Sequence, residues 1–287
     1  MSEKKEIAIK KSTPPPNVIL FGESGSGKSS IVNMLAQRPC AQTSSSVKGC
    51  TFIANSYPIE ILGTTFNIYD TAGLDEGDQG NVPKKEAIVQ LLRLLKSLDT
   101  GVSLLVFCMR GPRIKESAHR NWRLFHEVIC RRKVPIVLAV TGIEQEYDMD
   151  EWWIRNKGAF QDYDMFPNGV ACITAIRGKP LKDRNRQPLQ DSEGRDIYSL
   201  DDEYRESMEK TGKAIKTQYR TEPWKVEPVE WFRDIVTVSY KTRCLRAPIE
   251  YKETRTVAGA AIQELAKALL ISQEEAERMG KALSSDN

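Results

Sequence analysis

A glycine-rich stretch near the start of the chain has the spacing that binds a chain of phosphates. Residues 22–29 read GESGSGKS, which fits the motif GxxxxGK(S/T) at every fixed position. Glycine lets the backbone wrap closely around phosphate oxygens, and backbone N–H groups at a helix N-terminus then face the negative charge. In this chemistry Lys28 reaches the β- and γ-phosphates, and the Ser29 hydroxyl binds Mg²⁺. The predicted phosphate-binding residues are Gly22, Glu23, Ser24, Gly25, Ser26, Gly27, Lys28, Ser29 and Ser30.

Two later segments can complete a magnesium site and contact the terminal phosphate. Asp70 opens the sequence DTAG directly after an alternating stretch that ends at Tyr69, and a carboxylate at a strand end suits a ligand of Mg²⁺ or of its water. We expect Gly73 to give its backbone N–H to the γ-phosphate. Thr51, between the two motifs, is expected to complete the metal shell and sense that phosphate, with the preceding loop as a switch segment. The predicted metal ligands are Ser29, Thr51 and Asp70, and the predicted catalytic residues are Lys28, Thr51 and Gly73.

The end of a later strand carries a candidate site for the base. Guanine needs a carboxylate that accepts hydrogen bonds from its N1–H and N2–H₂ groups. Residues 141–144 read TGIE where the usual guanine motif is NKxD, so Glu144 falls in place of the Asp, Thr141 in place of the Asn, and Gly142 in place of the Lys that covers the base. After the next strand, the backbone N–H of Ala175 in Thr174-Ala175 is expected to contact guanine O6. GTP and GDP are therefore the expected nucleotides.

Alternating strand and helix patterns place each motif just after a strand. Such alternation predicts an α/β fold with a mainly parallel sheet and helices on both faces, whose ligands lie outside the carboxyl ends of the strands. The predicted strands are 18–21, 65–69, 101–109, 134–140 and 170–174. One helix is predicted directly after the glycine-rich loop, and four more are predicted over 84–98, 115–131, 149–160 and 199–218.

The chain divides into three parts on composition. Residues 1–16 are polar and end in three prolines, which indicates a flexible tail; 17–218 form the predicted P-loop domain; and 219–287 form a largely helical C-terminal extension. Within the domain, 177–197 mix both charge signs with proline and glycine and are expected to be a surface loop. In the extension, 222–250 have no clear assignment, and 253–284 are expected to form two helices.

The motifs together resemble a known family. The chain is similar to a Ras-like GTPase of the translation-factor-related class, within it to the septin and immunity-associated GTPases, and most closely to a fungal family of G-domain-containing proteins. The resemblance covers about residues 17–176 and implies a G domain with GTP binding and a nucleotide-controlled state. It is carried by GESGSGKSS, GCTF at 49–52, YDTAGLDEG at 69–77, LLVFCMRG at 104–111, VPIVLAVTGIE at 134–144 and ACITA at 171–175.

Leu74 departs from the pattern of many Ras-like enzymes. Those enzymes have Gln directly after DTAG to orient the attacking water, whereas leucine forms no hydrogen bond with water. Hydrolysis is therefore expected to be slow or to depend on another group, and relatives with an apolar residue here often dimerise across the nucleotide face. Asp75, Glu76 and Asp78 can position water, but solvated loop positions are the simpler interpretation. No arginine is nominated as a finger.

Composition favours a cytoplasmic protein that binds no nucleic acid. The net charge of +3 gives no argument for a polyanionic partner. The six cysteines form no CxxC pair, which suits a reducing compartment. The N-terminal residues lack the apolar region of a signal peptide, and no apolar run approaches a transmembrane segment.

Three functional hypotheses remain open from the sequence. The first is a GTP-dependent switch or assembly module with slow or partner-stimulated hydrolysis. The second is a P-loop kinase for a small metabolite, with the arginine-rich stretch 177–195 as a lid. DTAG with Thr51 argues against a kinase, because a kinase has no use for a γ-phosphate sensor pair. The third is a nucleotide-bound scaffold without turnover, which Leu74 keeps open.

Overall fold

A computed structural model describes residues 14–41, 55–71, 73–74, 91, 94–95 and 97–225. Thr51, the loop with Asp75, Glu76 and Asp78, and the predicted elements beyond residue 225 lie outside these residues. Most of the predicted helix over 84–98 also lies outside them; of its five described positions, 91, 94, 95 and 97 are helical and 98 is not. Among the described residues, no helix combines the length and the apolar character needed to cross a bilayer.

The core of the domain is a six-stranded sheet with the order β2-β3-β1-β4-β5-β6. β1 pairs in parallel with β3 and β4, and β4, β5 and β6 continue the parallel arrangement, whereas β2 pairs antiparallel to β3. The mainly parallel sheet confirms the predicted fold class. The strands are β1 Asn17–Gly22, β2 Asn55–Ile61, β3 Thr64–Asp70, β4 Leu104–Arg110, β5 Ile136–Thr141 and β6 Gly169–Cys172.

Helices cover both faces of this sheet. α1 spans Lys28–Ala36, α2 Glu116–Trp122, α3 Met149–Asp162 and α4 Asp201–Gln218. Side chains of α1 and α4 share one apolar layer with the sheet, and those of α2 and α3 share the other. Successive residues of a strand point to opposite faces of the sheet. Each central strand therefore contributes side chains to both apolar layers, which explains why these strands are apolar throughout.

The first edge strand, β2, was not predicted from the sequence. It carries Pro58 and alternates exposed with buried residues, so only Ile59 and Ile61 are fully buried. Proline donates no hydrogen bond and is tolerated on edge strands, where one side of the ladder has no partner. A short, half-polar strand with an internal proline therefore gives little signal.

The predicted helix over 115–131 exists, but its second half has an unexpected form. α2 passes directly into a π-helix over Arg123–Ile129, with Trp122 and Phe125 buried against the sheet. π-helical turns are rare and occur often at functional sites. The apolar spacing of the sequence does not separate i→i+5 bonding from the ordinary i→i+4 pattern.

The stretch 177–197 forms an exposed, turn-rich segment with its own bridges. Isolated antiparallel pairs join Pro180 to Tyr198, Lys182 to Pro188, and Gln190 to Asp196. Arg177 at its start binds the carboxylate of Asp201 at the beginning of α4, with Nε 2.6 Å from Oδ1. The predicted surface loop is therefore tied to the domain at its base.

Residues just beyond α4 return to the sheet. Val102 and Trp224 form an antiparallel bridge, with N–H to carbonyl distances of 2.7 and 2.8 Å. The Tyr219 ring packs edge-on against Phe66 at 5.0 Å between ring centroids. The described beginning of the C-terminal extension thus contacts both sides of the sheet.

Candidate nucleotide-binding site

The glycine-rich loop lies at the carboxyl end of β1, where its first glycine has no room for a side chain. Gly22 has a φ of 147°, and a Cβ there would lie 2.1 Å from the carbonyl oxygen of Cys108 on the neighbouring strand. Gly27 has a φ of 93° and caps the N-terminus of α1. The chain can therefore leave the sheet and enter the helix in the tight turn that surrounds a phosphate only because both positions are glycine.

Lys28 turns its ammonium group back over this loop. The side chain is only 7% exposed, and Nζ donates to the carbonyl of Glu23 at 2.8 Å and to that of Gly22 at 3.3 Å. A cation held by two backbone carbonyls of the loop is placed to neutralise a phosphate chain bound by the same loop. Ser24 and Gly25 lie exposed on the rim, and Ser30 is half-buried in the first turn of α1.

Ser29 and Asp70, which are 41 residues apart, are in direct contact. The Ser29 hydroxyl donates to Asp70 Oδ2 at 2.5 Å, while Asp70 Oδ1 is buried and has no hydrogen-bond partner among the described residues. Burial raises the pKa of Asp70, and the Ser29 hydrogen bond and the Lys28 charge act in the opposite direction. A hydroxyl beside a carboxylate oxygen without a partner fits a hard cation such as Mg²⁺.

The segment after Asp70 is anchored to β1 and to the glycine-rich loop. Thr71 Oγ1 donates to the carbonyl of Leu20 at 2.7 Å, and the Leu74 N–H donates to that of Gly22 at 3.0 Å. A Cβ on Gly73 would lie 2.6 Å from the Ser24 backbone nitrogen. Gly73 therefore touches the loop itself, so a ligand that moves one segment must affect the other.

Leu74 points away from this surface. Its side chain is 1% exposed and belongs to the apolar layer that also contains Phe21 and Phe125. Leu74 therefore contributes a backbone N–H to the loop and an apolar side chain to the core. The sequence shows that the residue after DTAG is apolar, but it does not show that the side chain points into the core.

The candidate base site lies at the end of β5, and Thr141 joins it to the glycine-rich loop. Thr141 is buried and its hydroxyl donates to the carbonyl of Ser26 at 2.9 Å. Gly142 follows with a φ of 72°. Glu144 is half-buried, and its Oε2 is buried without a hydrogen-bond partner in the described part of the chain. A carboxylate oxygen in this state can accept hydrogen bonds from the N–H groups on the guanine edge.

The loop after β6 is fixed by α4. The backbone N–H of Thr174 donates to the Ser207 hydroxyl at 3.0 Å, and Thr174 Oγ1 donates to the carbonyl of Ile176 at 3.1 Å. Ala175 is partly buried and packs against the apolar layer that contains side chains of α1 and α4. These contacts hold the backbone of the loop beside the end of β5, to which β6 is paired.

Glu23 has a side-chain contact that its motif position does not reveal. Its Oε1 accepts a hydrogen bond from the Ser117 hydroxyl, and its Oε2 pairs with Lys115 Nζ at 3.2 Å. Both partners belong to the start of α2, more than 90 residues further along the chain. The carboxylate thus binds protein and leaves the backbone of Glu23 to the loop.

Comparison with known proteins agrees with this arrangement. Residues 17–141 match a protein family described as 50S ribosome-binding GTPase. GTPase Der of Campylobacter curvus is 29% identical over 136 residues, which is 47% of this chain and 27% of that protein. Immune-associated nucleotide-binding protein 10 of Arabidopsis thaliana is 32% identical over 108 residues, 37% of this chain and 23% of that protein. The chain thus spans less than a third of the length of these relatives.

A solved structure of the chloroplast translocon components atToc33 and psToc159 has the same fold. It superposes with a TM-score of 0.50 at 16% identity and covers 74% of this chain and 86% of that chain. The sheet order and the complete phosphate-binding motif are those of a P-loop fold of the G-domain type, and the family match covers residues 17–141, less than half of the chain. Among relatives in sequence it is similar to Der and to plant immune-associated nucleotide-binding proteins.

Proposed function

We propose that the protein is a Mg²⁺-dependent guanine-nucleotide switch or assembly module that hydrolyses GTP slowly or with the help of a partner. The contact between Ser29 and Asp70 carries this proposal, because it brings a hydroxyl and a buried carboxylate oxygen together beside the loop that encloses the phosphates. Mg²⁺ held there supplies charge compensation for the β- and γ-phosphates. Thr51 is the further ligand that we propose from the sequence.

The chemistry proposed for this site is in-line attack of water on the γ-phosphorus. A bond forms from the water oxygen to phosphorus while the bond to the β–γ bridging oxygen breaks, so that GDP and inorganic phosphate are released. Lys28 stabilises charge on the phosphate oxygens, and the Gly73 N–H donates to the γ-phosphate. Since Gly73 packs against Ser24, loss of that phosphate would free the segment and switch its conformation.

Slow hydrolysis is proposed because Leu74 gives no polar group to the attacking water. Its side chain is a hydrocarbon with no hydrogen-bonding atom, and it lies in the apolar core. A second copy of the chain is the partner that we propose, docked across the nucleotide face. In the chloroplast proteins atToc33 and psToc159, dimerisation is important for the GTPase activity, which motivates the same proposal here.

Single-turnover phosphate release tests this function. Protein in excess over GTP should release phosphate slowly with Mg²⁺ and not at all with a chelator, and the rate should rise with protein concentration if two copies assemble. Asp70→Asn should lower the affinity for Mg²⁺–GTP roughly 10- to 100-fold. Phosphate release that is independent of Mg²⁺ would contradict the proposal, as would unchanged affinity in Asp70→Asn.

A scaffold without turnover is the second candidate, and the burial of Leu74 is the observation that favours it. The same experiment separates the two, because a scaffold binds GTP with Mg²⁺ and releases no phosphate at any protein concentration. The kinase alternative is less well supported. Arg177 and Arg195 of the proposed lid already pair with the nearby carboxylates of Asp201 and Asp191.

A further inference from the structure

We propose that Arg110 covers one face of the purine base and so completes the base site next to Glu144. This inference rests on the proposed guanine-nucleotide function and adds a specificity-determining residue to it. In the sequence, Arg110 has no feature that separates it from ordinary surface arginines. Its place in the fold, beside the candidate base-binding segment, is what separates it.

Arg110 is the last residue of β4 and stands at the edge of the sheet where the ligand binds. In the parallel pairing of β4 and β5 it lies opposite Thr141, whose hydroxyl reaches the glycine-rich loop at Ser26. Ligands of open α/β sheets bind outside these carboxyl ends. Arg110 and Thr141, the first residue of the candidate base-binding segment 141–144, therefore lie side by side at the carboxyl end of the sheet.

The alternation of β4 sets the side of the sheet to which Arg110 points. Leu104, Val106 and Cys108 pack into the apolar layer that contains Ile31 and Val32 of α1. Residues i and i+2 of a strand share a face, so Arg110 follows them to the side of α1. The glycine-rich loop opens α1, so the Arg110 side chain lies on the same side of the sheet as the phosphate-binding elements.

The contact with Gly142 places the Arg110 side chain along the base-binding segment. A Cβ on Gly142 would lie 2.9 Å from Cγ, 3.1 Å from Nε and 3.3 Å from Cζ of Arg110. The Arg110 side chain therefore fills the space that a side chain at position 142 would occupy. Gly142 also has a φ of 72°, a conformation that L side chains rarely adopt, so this position is suited to glycine and to coverage from a neighbouring strand.

The chemistry of guanidinium suits this place. Guanidinium is planar, is weakly hydrated and stacks on aromatic faces, where the cation also interacts with the π-system. The residue is exposed, and within the described part of the chain its guanidinium forms no ion pair. Glu144, two residues after Gly142, offers its buried Oε2 to the edge of the base. One side chain then reads the edge while the other covers a face.

The test compares Arg110→Ala with Arg113→Ala, a matched exposed arginine three residues further along the chain. Equilibrium titration of each variant with GDP and with GTP, both with Mg²⁺, measures the dissociation constants, and circular dichroism melting checks the fold. We expect Arg110→Ala to weaken GDP and GTP equally, roughly tenfold, because a stacking contact with the base is common to both. Arg113→Ala should bind both nucleotides as the unmutated protein does.

Two results would overturn this inference. If Arg110→Ala binds GDP as tightly as the unmutated protein, Arg110 does not cover the base. If only GTP affinity falls, the guanidinium contacts the γ-phosphate instead. Failure of the underlying function is recognised separately, because the unmutated protein would then show no preference for GDP over ADP before any arginine is changed.

Discussion

Two buried carboxylate oxygens at the site, Asp70 Oδ1 and Glu144 Oε2, have no hydrogen-bond partner among the described residues. Burying such an oxygen without a partner costs roughly 1–3 kcal/mol or more, so each of the two calls for a partner such as a ligand group, an ion or an ordered water. Asp70 lies beside Ser29 and near the ammonium of Lys28, where we propose that a metal and phosphates bind. Glu144 lies just beyond the end of β5, where we propose that the base binds. In this proposal the two oxygens lie at opposite ends of one nucleotide.

Replacement of Glu144 by alanine tests the base end of the site. Loss of hydrogen bonds to a charged acceptor is worth about 1.5–3 kcal/mol, so Glu144→Ala should lower the preference for GDP over ADP by roughly 10- to 100-fold while the phosphate contacts survive. Glu146→Ala is the matched control, because Glu146 pairs with Arg155 at the surface. Competition of GDP and ADP for each variant gives the measurement. An unchanged preference in Glu144→Ala would remove Glu144 from the base site.

Sequence spacing predicted the residues of the site better than the direction of their side chains. GxxxxGKS and DTAG were sufficient to expect Ser29 near Asp70, because both residues were predicted ligands of one metal, and the two side chains are in contact. The contact of Glu23 with Ser117 and the burial of Leu74 depend on how α2 and the strands pack. Contacts of this kind join residues far apart in the chain, and no local pattern encodes them.

At the scale of elements, two of the glycines in the turn from β1 into α1, Gly22 and Gly25, are needed for different reasons. A Cβ on Gly22 would collide with the backbone of β4 at 2.1 Å, whereas nothing lies within 4 Å of a Cβ on Gly25. Gly25 has a φ of 73°, so a side chain there meets only conformational strain. The same substitution at these two positions therefore separates steric exclusion from backbone preference.

We expect Gly22→Ala to lower the free energy of unfolding by about 3 kcal/mol or more. Gly25→Ala should cost about 1–2 kcal/mol, the usual penalty for a left-handed backbone with a side chain. Urea denaturation without nucleotide measures both values, so that effects on binding do not enter. Equal stability losses in the two variants would show that β4 can move away from Gly22.

The π-helix carries a histidine that is held neutral. Burial, with the nearby Arg132 charge, lowers the pKa of His126 to about 4, and its ring packs edge-on against Trp122. Because the unfolded chain binds this proton near pH 6.5 and the folded chain does not, stability is full above that pH. The free energy of unfolding should fall as the pH drops from about 6.5 to about 4.

Replacement of His126 by glutamine should remove this loss of stability. The only other histidine is His119, which stacks on Tyr163, and His119→Gln is the matched control. The measurement is urea denaturation at a series of pH values between 7 and 4 for the three proteins. Carboxylates titrate in all of them, so the difference between His126→Gln and the control carries the information. Identical pH profiles would contradict a neutral, buried His126.

The sequence predicted the strands that have a strong apolar pattern and missed the edge strand that lacks one. β1, β4 and β5 are continuous apolar runs and were found within a few residues. β2 was missed because Pro58 and its polar neighbours hide an edge strand. The π-helical half of the helix after Lys115 has the apolar spacing of an ordinary helix. Its form is seen in backbone hydrogen bonds such as that from the Cys130 N–H to the carbonyl of Phe125, five residues earlier.

At the scale of the whole molecule, one sheet separates two apolar layers, and the chain after α4 contacts both. Trp224 packs on the layer that contains α2 and α3, and Tyr219 packs on the layer that contains α1. The backbone bridge between Trp224 and Val102 adds to the first contact. Residues assigned to the extension therefore support the G domain from two sides.

We expect Trp224→Ala and Tyr219→Ala each to lower the free energy of unfolding of the full chain by about 1–3 kcal/mol. Their effects should add in the double variant to within about 0.5 kcal/mol, because the two rings lie on opposite sides of the sheet and share no partner. Chemical denaturation of the single and double variants measures this. A coupling energy above about 1 kcal/mol would mean that the two contacts form one unit.

The central proposal is one arrangement, in which the glycine-rich loop holds the phosphates, Ser29 and Asp70 hold a magnesium ion, and Glu144 binds the base. Calorimetric titration of the purified full chain with GDP and with ADP, in Mg²⁺ and in chelator, tests it most directly. The account predicts one GDP bound per chain, much tighter with Mg²⁺ than without it and at least roughly tenfold tighter than ADP. Folded protein that binds neither nucleotide at millimolar concentration with Mg²⁺, or both equally well, would contradict it.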